Sequence, residues 1–132
     1  AEPRSERVVY CDGKADRSTG KELQVYGDAN LLTLALINLI RNALQAVEGQ
    51  EDGIVRVDTC AGATGHLLII ITDNGPGIPP ERLSAIFTPF FSTKSGGSGI
   101  GLPISQRIMQ LHGGQLSVSS IPNVRTEFRM EF

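Results

Sequence analysis

The sequence predicts an α/β domain, a two-layer sandwich in which helices pack on one face of a mixed, mostly antiparallel sheet. Two long apolar stretches have helical spacing, residues 28–47 and 99–111, and β-prone segments flank both. The 132 residues, of which 40% are hydrophobic, are enough for one domain with one core. No apolar run approaches the about 18 residues of a membrane-spanning helix, and no signal-peptide pattern opens the chain.

The charge balance and the cysteines limit the classes of function. A net charge of −2 argues against a general binder of nucleic acid or membrane surfaces, although a local phosphate site is compatible with it. Cys11 and Cys60 lack metal-ligand spacing, which indicates two reduced thiols in a cytosolic domain. A disulfide between them is the alternative that the sequence leaves open.

Residues 28–47 predict the central helix. Asp28 is suited to the N-cap, and apolar residues on nearly every face predict a helix buried between layers. Asn38 and Asn42, four residues apart, lie one above the other on the same face. Because a buried amide needs a partner, the pair indicates either a docked polar ligand or two satisfied core amides. With a nucleotide supplying the negative charge, the Asn42 amide oxygen could serve as a Mg²⁺ ligand.

The remaining pattern gives strands, two further helices and a lid. Residues 66–72 are almost continuously apolar, which predicts a central strand covered on both faces and paired with 54–60 in a hairpin. Pro80 opens a short helix to about Phe87, and Gly113 and Gly114 end the helix over 99–111. The other predicted strands are residues 7–11, 22–26, 115–120 and 126–132.

Asp73 directly follows the predicted central strand and opens a glycine-rich loop. A carboxylate there can accept a hydrogen bond from an exocyclic amine such as that of adenine. Gly75 and Gly77 remove side chains, so that a planar ring can approach the backbone. The alternative is an ordinary Asp-Asn-Gly turn.

Residues 96–102, Gly-Gly-Ser-Gly-Ile-Gly-Leu, are the candidate phosphate loop. They lead into a helix N-terminus, where free N–H groups and the helix dipole favour an anion, and Lys94 adds a positive charge. No Gly-Lys-Ser/Thr follows, so this is not a P-loop, and a flexible linker is the alternative. Residues 88–98 are predicted to form a mobile lid, with nearby phenylalanines as its anchor.

The two histidines are interpreted as structural. His66 opens a strand, whereas His112 ends a helix, where a cation would complement the helix dipole.

Four motifs in this order resemble the N, G1, F and G2 boxes of the catalytic ATP-binding domain of bacterial sensor histidine kinases. They are Asn-x-x-x-Asn at 38–42, Asp-x-Gly-x-Gly at 73–77, Phe-x-Pro-Phe-Phe at 87–91 and Gly-x-Gly-x-Gly-Leu at 97–102. The resemblance runs from about residue 27 to 132 and looks most like the nitrogen-regulation (NtrB-like) branch. It implies the Bergerat fold, which DNA gyrase, the Hsp90 chaperones and the MutL proteins share.

The resemblance implies ATP and Mg²⁺ as cofactors and assigns roles to residues. Asp73 would bind the adenine amine, Asn42 would hold Mg²⁺ and Asn38 would lie near the phosphates. Gln45 stands where many members carry a phosphate-contacting Lys, so its own contact would be weaker. The other implied nucleotide-binding residues are Gly75, Gly77, Ile78, Lys94 (at the γ-phosphate), Gly97, Ser98, Gly99, Ile100, Gly101, Leu102 and Thr126.

Two departures from the family pattern matter. Arg125 replaces the Gly of a Gly-Thr-x-Phe turn, which affects that turn and the phosphate contact implied for Thr126. The family's phosphoacceptor histidine, carried by a dimerising helical hairpin, has no counterpart in residues 1–132, which are therefore expected to be a single catalytic domain.

The resemblance also implies the domain's partners and its location. The partners would be the histidine-containing dimerisation domain of the same kinase and, downstream, the receiver domain of a response regulator. Contact with nucleic acid or membrane is not expected. The fragment is expected to be monomeric. It is expected to lie in the cytoplasm, also when the parent protein is membrane-anchored.

The implied reaction is transfer of the ATP γ-phosphate to a histidine in two-component signalling. Superfamily ATPases carry a Glu at the position of Asn38, and an amide cannot accept a proton at neutral pH, so little ATP hydrolysis is expected. Positioning and charge neutralisation would carry catalysis, with Asn38 and Lys94 as the candidate catalytic residues. The alternatives are a nucleotide-gated, non-catalytic interaction module and an anti-sigma-factor-type serine kinase, a family that carries that Glu.

Overall fold

A computed structural model describes residues 7–11, 27–62, 66–88 and 101–132. The predicted strand over 22–26 and lid residues 89–98 lie outside these residues. The described elements are β1 (Arg7–Cys11), α1 (Ala29–Ala46), β2 (Ile54–Ala61), β3 (Leu67–Asp73), α2 (Pro80–Leu83), α3 (Gly101–Leu111), β4 (Gln115–Ile121) and β5 (Arg125–Glu131).

The described strands form one sheet in the order β1-β2-β3-β5-β4. β1 pairs parallel with β2, and the other three pairs are antiparallel, which confirms the predicted mixed, mostly antiparallel sheet. The predicted hairpin of β2 with β3 is confirmed, and β3 is the central strand of the five. Both long helices pack on the face of the sheet that carries Val57, Ile71 and Phe128.

Helix α1 begins as predicted. Asp28 is the N-cap, and its Oδ1 accepts hydrogen bonds from the backbone N–H groups of Asn30 (2.9 Å) and Leu31 (3.0 Å). The prediction of a helix buried on nearly every face is wrong, because among the described elements the sheet covers one side of the helix and α3 lies beside it. Its buried residues are Ala35, Leu39 and Ala43, whereas Leu31, Leu34 and Ile37 are 38–43% exposed.

The core fills the space between the sheet and the two long helices. Leu39 and Val47 from α1 and its C-cap meet Met109 from α3 and the sheet residues Ile71 and Phe128, all at most 1% exposed. Full burial of such side chains stabilises the fold by about 1.5–3 kcal/mol each.

The outer face of β3 contradicts the prediction that both faces are covered. Leu68 and Ile70 are half-buried, and Ile70 lies between Asp58 of β2 and Arg129 of β5 in the strand register. The aliphatic stems of such long charged side chains can cover apolar surface while their ends stay in water. A hydrogen bond of 2.7 Å from Arg129 Nε to Glu127 raises the pKa of Arg129, so this guanidinium stays charged.

Cys60 and His66 lie on or directly beside strands of the sheet. Cys60 is a half-buried free thiol on β2. His66 precedes β3, and its Nε2 lies 3.1 Å from Glu131 Oε2 on the neighbouring β5. This contact is consistent with the structural interpretation of His66.

The short helix that Pro80 opens is confirmed but ends earlier than predicted, and the helix predicted over 99–111 is confirmed within the described residues. Pro80 occupies the first turn of α2, as predicted, but the helix ends at Leu83 and irregular turns follow to residue 88. Helix α3 begins at Gly101 within the described residues, and residues 99 and 100 lie outside them.

The predicted glycine stop of α3 is confirmed. Gly113 has φ 75°, its N–H donates to Gln110 O (3.1 Å), and the N–H of Gly114 donates to Met109 O (2.9 Å). This is the Schellman pattern, which requires a left-handed residue directly after the helix.

His112, at the end of α3, is structural, as interpreted from the sequence, but its hydrogen bonds are not those of a cation that complements the helix dipole. Its Nδ1 lies 2.8 Å from Ile108 O, and its Nε2 lies 3.0 Å from the backbone N of Asp28. Because Asp28 N–H can only donate, Nε2 must accept and carry no proton, while Nδ1–H donates to the carbonyl. His112 is therefore a neutral bridge between the end of α3 and the start of α1.

Candidate functional site

Asp73 is the last residue of β3, and its side chain is 2% exposed. Its Oδ1 accepts a hydrogen bond of 2.9 Å from the backbone N–H of Gly75. This hydrogen bond is typical of an Asx-type turn. The Asp-Asn-Gly turn, which was the alternative to a ligand site, is therefore present. A carboxylate has further acceptor positions on its two oxygens, so the turn and a role in binding are compatible.

The loop over residues 74–78 is packed against two parts of the fold at its glycines. A Cβ on Gly75 would lie 2.8 Å from Ala46 O, at the end of α1. Gly77 has φ 81°, and a Cβ there would lie 2.9 Å from Pro122 Cα, in the β4–β5 turn. Both glycines are thus required by close packing and, at Gly77, by a left-handed backbone.

Two hydrogen bonds hold the second half of this loop against the β4–β5 turn and the adjoining end of β4. Asn123 N–H donates to Pro76 O (2.6 Å), and Ile78 N–H donates to Ser120 Oγ (2.8 Å). The loop is consequently held on the same side of the sheet as the buried Asp73 carboxylate.

Asn74 fastens the first half of the loop, a role that sequence reasoning missed. Its Nδ2 donates to Asp52 O (2.9 Å), its Oδ1 accepts from Ile54 N–H (2.7 Å), and its carbonyl accepts from Gln50 Nε2 (2.9 Å). In the sequence, the Asp-Asn-Gly run marked Asn74 only as a turn residue, because the partners lie about twenty or more positions away.

Asn38 and Gly101 bring the N box and the start of α3 together. Asn38 Nδ2 donates to Gly101 O at 3.4 Å, and Asn38 is half-buried. A Cβ on Gly101 would meet the Asn38 side chain at 3.7 Å, an ordinary contact. Asn42 and Gln45 follow on the same helix and are also half-buried.

The two glycine segments contact α1 at different heights. Gly101 contacts Asn38, whereas Gly75 lies against Ala46, eight residues further along the helix. With a rise of about 1.5 Å per residue, the two contact points are about 12 Å apart along the helix axis. Asn42 lies halfway between them on the face of Asn38.

Asp73, Thr126 and Ser120 form a row across three neighbouring strands of the sheet. Thr126 pairs with Asp73 across β3 and β5, and it is 4% exposed. Ser120 pairs with Thr126 across β4 and β5, and the two hydroxyl oxygens are 3.1 Å apart. Sequence reasoning named Thr126 but missed Ser120, since only the strand register brings it to this row.

Arg125 does not disturb the β4–β5 turn. The left-handed position of this turn is Asn123, with φ 64°, and Val124 N–H donates to Ile121 O (2.9 Å). Asn tolerates this conformation better than most residues. Arg125 is an exposed residue of β5, paired with Ile121, so a glycine is not required there.

The remaining sequence-predicted site residues divide into two groups. Ile78 and Leu102 are half-buried and packed against the core. Lys94, Gly97, Ser98, Gly99 and Ile100 lie outside the described residues.

The described residues lack a cluster of acidic, His or Cys metal ligands and a membrane-spanning helix. No group of three or more His, Cys, Asp or Glu side chains is arranged there to hold a metal ion. Asn42, near the middle of the candidate site, carries a neutral amide oxygen, a kind of ligand that Mg²⁺ accepts when phosphates supply the remaining ligands. No helix in the same part of the chain is long and apolar enough to cross a membrane.

The chain is similar to one protein family over most of its length. Residues 27–132 match the profile of the histidine kinase-, DNA gyrase B- and HSP90-like ATPases. The chain is 42% identical over 98 residues (74% of the chain) to the sensor histidine kinase ZraS of Salmonella typhimurium. It is 36% identical over 131 residues (92% of the chain) to the sensory histidine kinase/phosphatase NtrB of Vibrio alginolyticus. It spans 21% of ZraS and 37% of NtrB, well under half of either relative.

Solved structures agree with this match. The mycobacterial sensor histidine kinase MprB superposes with a TM-score of 0.76 at 26% identity, covering 96% of this chain and 84% of that one. Full-length ShkA in complex with AMPPNP gives a TM-score of 0.77 at 26% identity, covering 96% of this chain and 25% of that one. The chain therefore belongs to the histidine kinase-, DNA gyrase B- and HSP90-like ATPases, as a catalytic domain of the sensor histidine kinase type.

Proposed function

We propose that this domain binds Mg-ATP along α1 and donates the γ-phosphate to a histidine on a separate dimerisation domain. The observation that carries the proposal is the spacing on α1, where Gly75 and Gly101 contact the helix about 12 Å apart with Asn42 between them. This spacing accommodates a nucleotide with its base at one end and its phosphates at the other. A related kinase structure holds AMPPNP, which supports the same class of ligand.

The nucleobase end is assigned to Asp73. Its buried carboxylate lies at the end of the central strand, and an acceptor there suits the exocyclic amine of adenine. Gly75, Gly77 and Ile78 form the wall of this end. Thr126, which the sequence resemblance placed at the phosphates, belongs to the nucleobase end in this proposal, because its strand register puts it beside Asp73.

The phosphate end is assigned to the middle of α1 and the start of α3. Asn42 would supply a metal ligand, and Asn38 would lie at the γ-phosphate beside Gly101. Mg²⁺, when bound, supplies charge neutralisation on the phosphates. The phosphate contacts implied by the resemblance are also proposed for Gln45, Leu102, Gly97, Ser98, Gly99 and Ile100. The lid residue Lys94 is proposed to contact the γ-phosphate.

In the proposed reaction, this chain positions the reactants and neutralises charge. The incoming imidazole nitrogen of the partner forms the new bond to the γ-phosphorus while the bond from phosphorus to the leaving oxygen of ADP breaks. Asn38 can donate a hydrogen bond to the transferring group but cannot remove a proton from water. Positioned transfer to histidine is therefore favoured over hydrolysis.

The partners follow from the proposed reaction. The acceptor is the histidine-containing dimerisation domain of the same kinase, and the downstream partner is the receiver domain of a response regulator. The relatives are about two and a half to five times as long as the matched stretch, which leaves room for such a domain. We place the domain in the cytoplasm, where ATP is available.

Titration calorimetry tests the nucleotide site. ATP with Mg²⁺ is titrated into the wild type, Asp73→Asn, Asn42→Asp and the control Asp58→Asn on the outer face of β2. We expect saturable binding that Asp73→Asn abolishes, a changed Mg²⁺ dependence in Asn42→Asp, and no change in Asp58→Asn. A folded wild type that binds no ATP would overturn the proposal.

Transfer in trans tests the reaction. Labelled ATP, this domain and the cognate dimerisation domain should give labelled histidine, and a His→Ala variant of the acceptor should give none. Binding without transfer would favour a nucleotide-gated interaction module instead.

A further inference from the structure

The Ser120 hydroxyl makes three hydrogen bonds at the nucleobase end of the proposed site. Its Oγ lies 2.8 Å from Ile78 N, 3.1 Å from Arg125 O and 3.1 Å from Thr126 Oγ1. A serine hydroxyl has one proton to donate and two lone pairs that accept. Three partners therefore use its full capacity.

The three contacts fix the direction of every bond. Ile78 N–H can only donate and Arg125 O can only accept, so the single proton of Ser120 goes to Arg125 O. Between the two hydroxyls, Thr126 must then be the donor and Ser120 the acceptor. The Thr126 proton is committed to Ser120, and Thr126 Oγ1 can offer only lone pairs to any other group.

Thr126 in this state lies beside another acceptor. Asp73 and Thr126 are directly paired across β3 and β5, on the buried face, at 2% and 4% exposure. A ligand group that meets both side chains must be a donor. In the orientation that would place the N6 amine of adenine there, guanine would place the acceptor O6 at the same position.

We propose that Ser120 is a positioning residue that sets the preference for adenine over guanine, by holding Thr126 as an acceptor beside Asp73. It also holds the loop over residues 74–78 through Ile78 N–H, so it acts on the shape of this end as well as on its polarity. The inference rests on the proposed function, since it assigns a specificity role within the proposed ATP site.

Affinities for two nucleotides test it. Mg-ATP and Mg-GTP are titrated separately into the wild type, Ser120→Ala and the control Ser119→Ala, whose exposed side chain lies on the opposite face of the same strand. In Ser120→Ala, the Thr126 hydroxyl is released and can donate to guanine O6. We expect the ratio of ATP affinity to GTP affinity to fall about tenfold, as for the loss of one directed hydrogen bond. Ser119→Ala should keep the wild-type ratio.

A second variant keeps the test decisive if Ser120→Ala does not fold, which thermal unfolding would reveal. Thr126→Val retains the β-branched shape and removes the hydroxyl, and it should lower the same ratio. Combined with Ser120→Ala, it should add little, because both act through one hydrogen-bond chain.

The outcomes separate the two proposals. If the wild type binds ATP, and the folded variants weaken ATP and GTP equally or not at all, the role of Ser120 in specificity is overturned while the ATP site stands. If the folded wild type binds neither nucleotide, both proposals are overturned.

Discussion

The His112 ring accepts a hydrogen bond of 3.0 Å from the backbone N–H of Asp28, a residue 84 positions earlier in the chain. Asp28 in turn caps α1 with its carboxylate. The end of α3 is thus joined to the first turn of the helix that carries Asn38 and Asn42. Gly27 makes this approach possible, since a Cβ at that position would overlap the ring.

His112→Ala is therefore expected to lower the free energy of unfolding by about 1–2 kcal/mol, from two lost hydrogen bonds and lost ring packing. Gly27→Ala should also destabilise, because its methyl group displaces the ring. The double variant should cost less than the sum of the two, since the ring that the added methyl group would strike is gone. Urea unfolding of the four proteins measures this, and strict additivity would contradict the proposed contact.

Gly77 and Gly49 form a matched pair for the loop after β3. Both have positive φ, 81° and 79°, but a Cβ on Gly77 would meet Pro122, Ile121 and Ser120 within 3.0 Å, whereas a Cβ on Gly49 has open space. Gly49→Ala should cost about 1 kcal/mol from backbone strain alone. Gly77→Ala should cost about 2–4 kcal/mol and weaken ATP binding as well.

Thermal unfolding and ATP titration of the two glycine variants provide the measurement. Equal losses of stability at the two positions would mean that packing against the β4–β5 turn does not matter.

Asn74 supplies a second test of the same loop. Asn74→Ala removes the bonds to Asp52 O and Ile54 N–H, so we expect a loss of about 1–2 kcal/mol in stability and several-fold weaker ATP binding. Asn74→Asp keeps the acceptor for Ile54 N–H but places a carboxylate oxygen against Asp52 O, so it should not restore stability.

Chemical unfolding and calorimetry of both variants check this. An Asn74→Asp variant as stable as the wild type would show that the Nδ2 bond to Asp52 O contributes nothing.

Local patterns in the sequence were enough to predict the elements and several of their ends. Asp28 and Gly113 act through groups within four residues of themselves, so their capping roles can be read locally. The apolar run of β3 correctly predicted the central strand. The same reasoning failed for α1, because apolar residues around a helix do not reveal which of its faces stay exposed, as Leu31, Leu34 and Ile37 do.

Long-range partners were beyond local patterns. Asn74, Ser120 and His112 each act through groups that folding brings near, across strand pairs or between helices. Their sequence neighbourhoods show only a turn residue, a strand serine and a helix-end histidine. The motifs named Asn38, Asn42, Asp73 and Thr126 as candidate site residues, whereas Ser120 joins them only through the register of β4 and β5.

Asn38→Glu tests why this domain should transfer phosphate rather than hydrolyse ATP. Asn38 is half-buried beside Gly101, and its amide has no proton-accepting function at neutral pH. A carboxylate there could act as a general base toward water, and such a group typically contributes about 10²–10⁴ in rate. We expect phosphate release from ATP to rise by at least about tenfold, somewhat offset by the approach of the carboxylate to Gly101 O. Asn38→Gln is the matched control, because it lengthens the side chain equally but keeps the amide. Continuous phosphate-release assays at saturating Mg-ATP measure both, and equal rates in the two variants would show that the missing base does not limit hydrolysis.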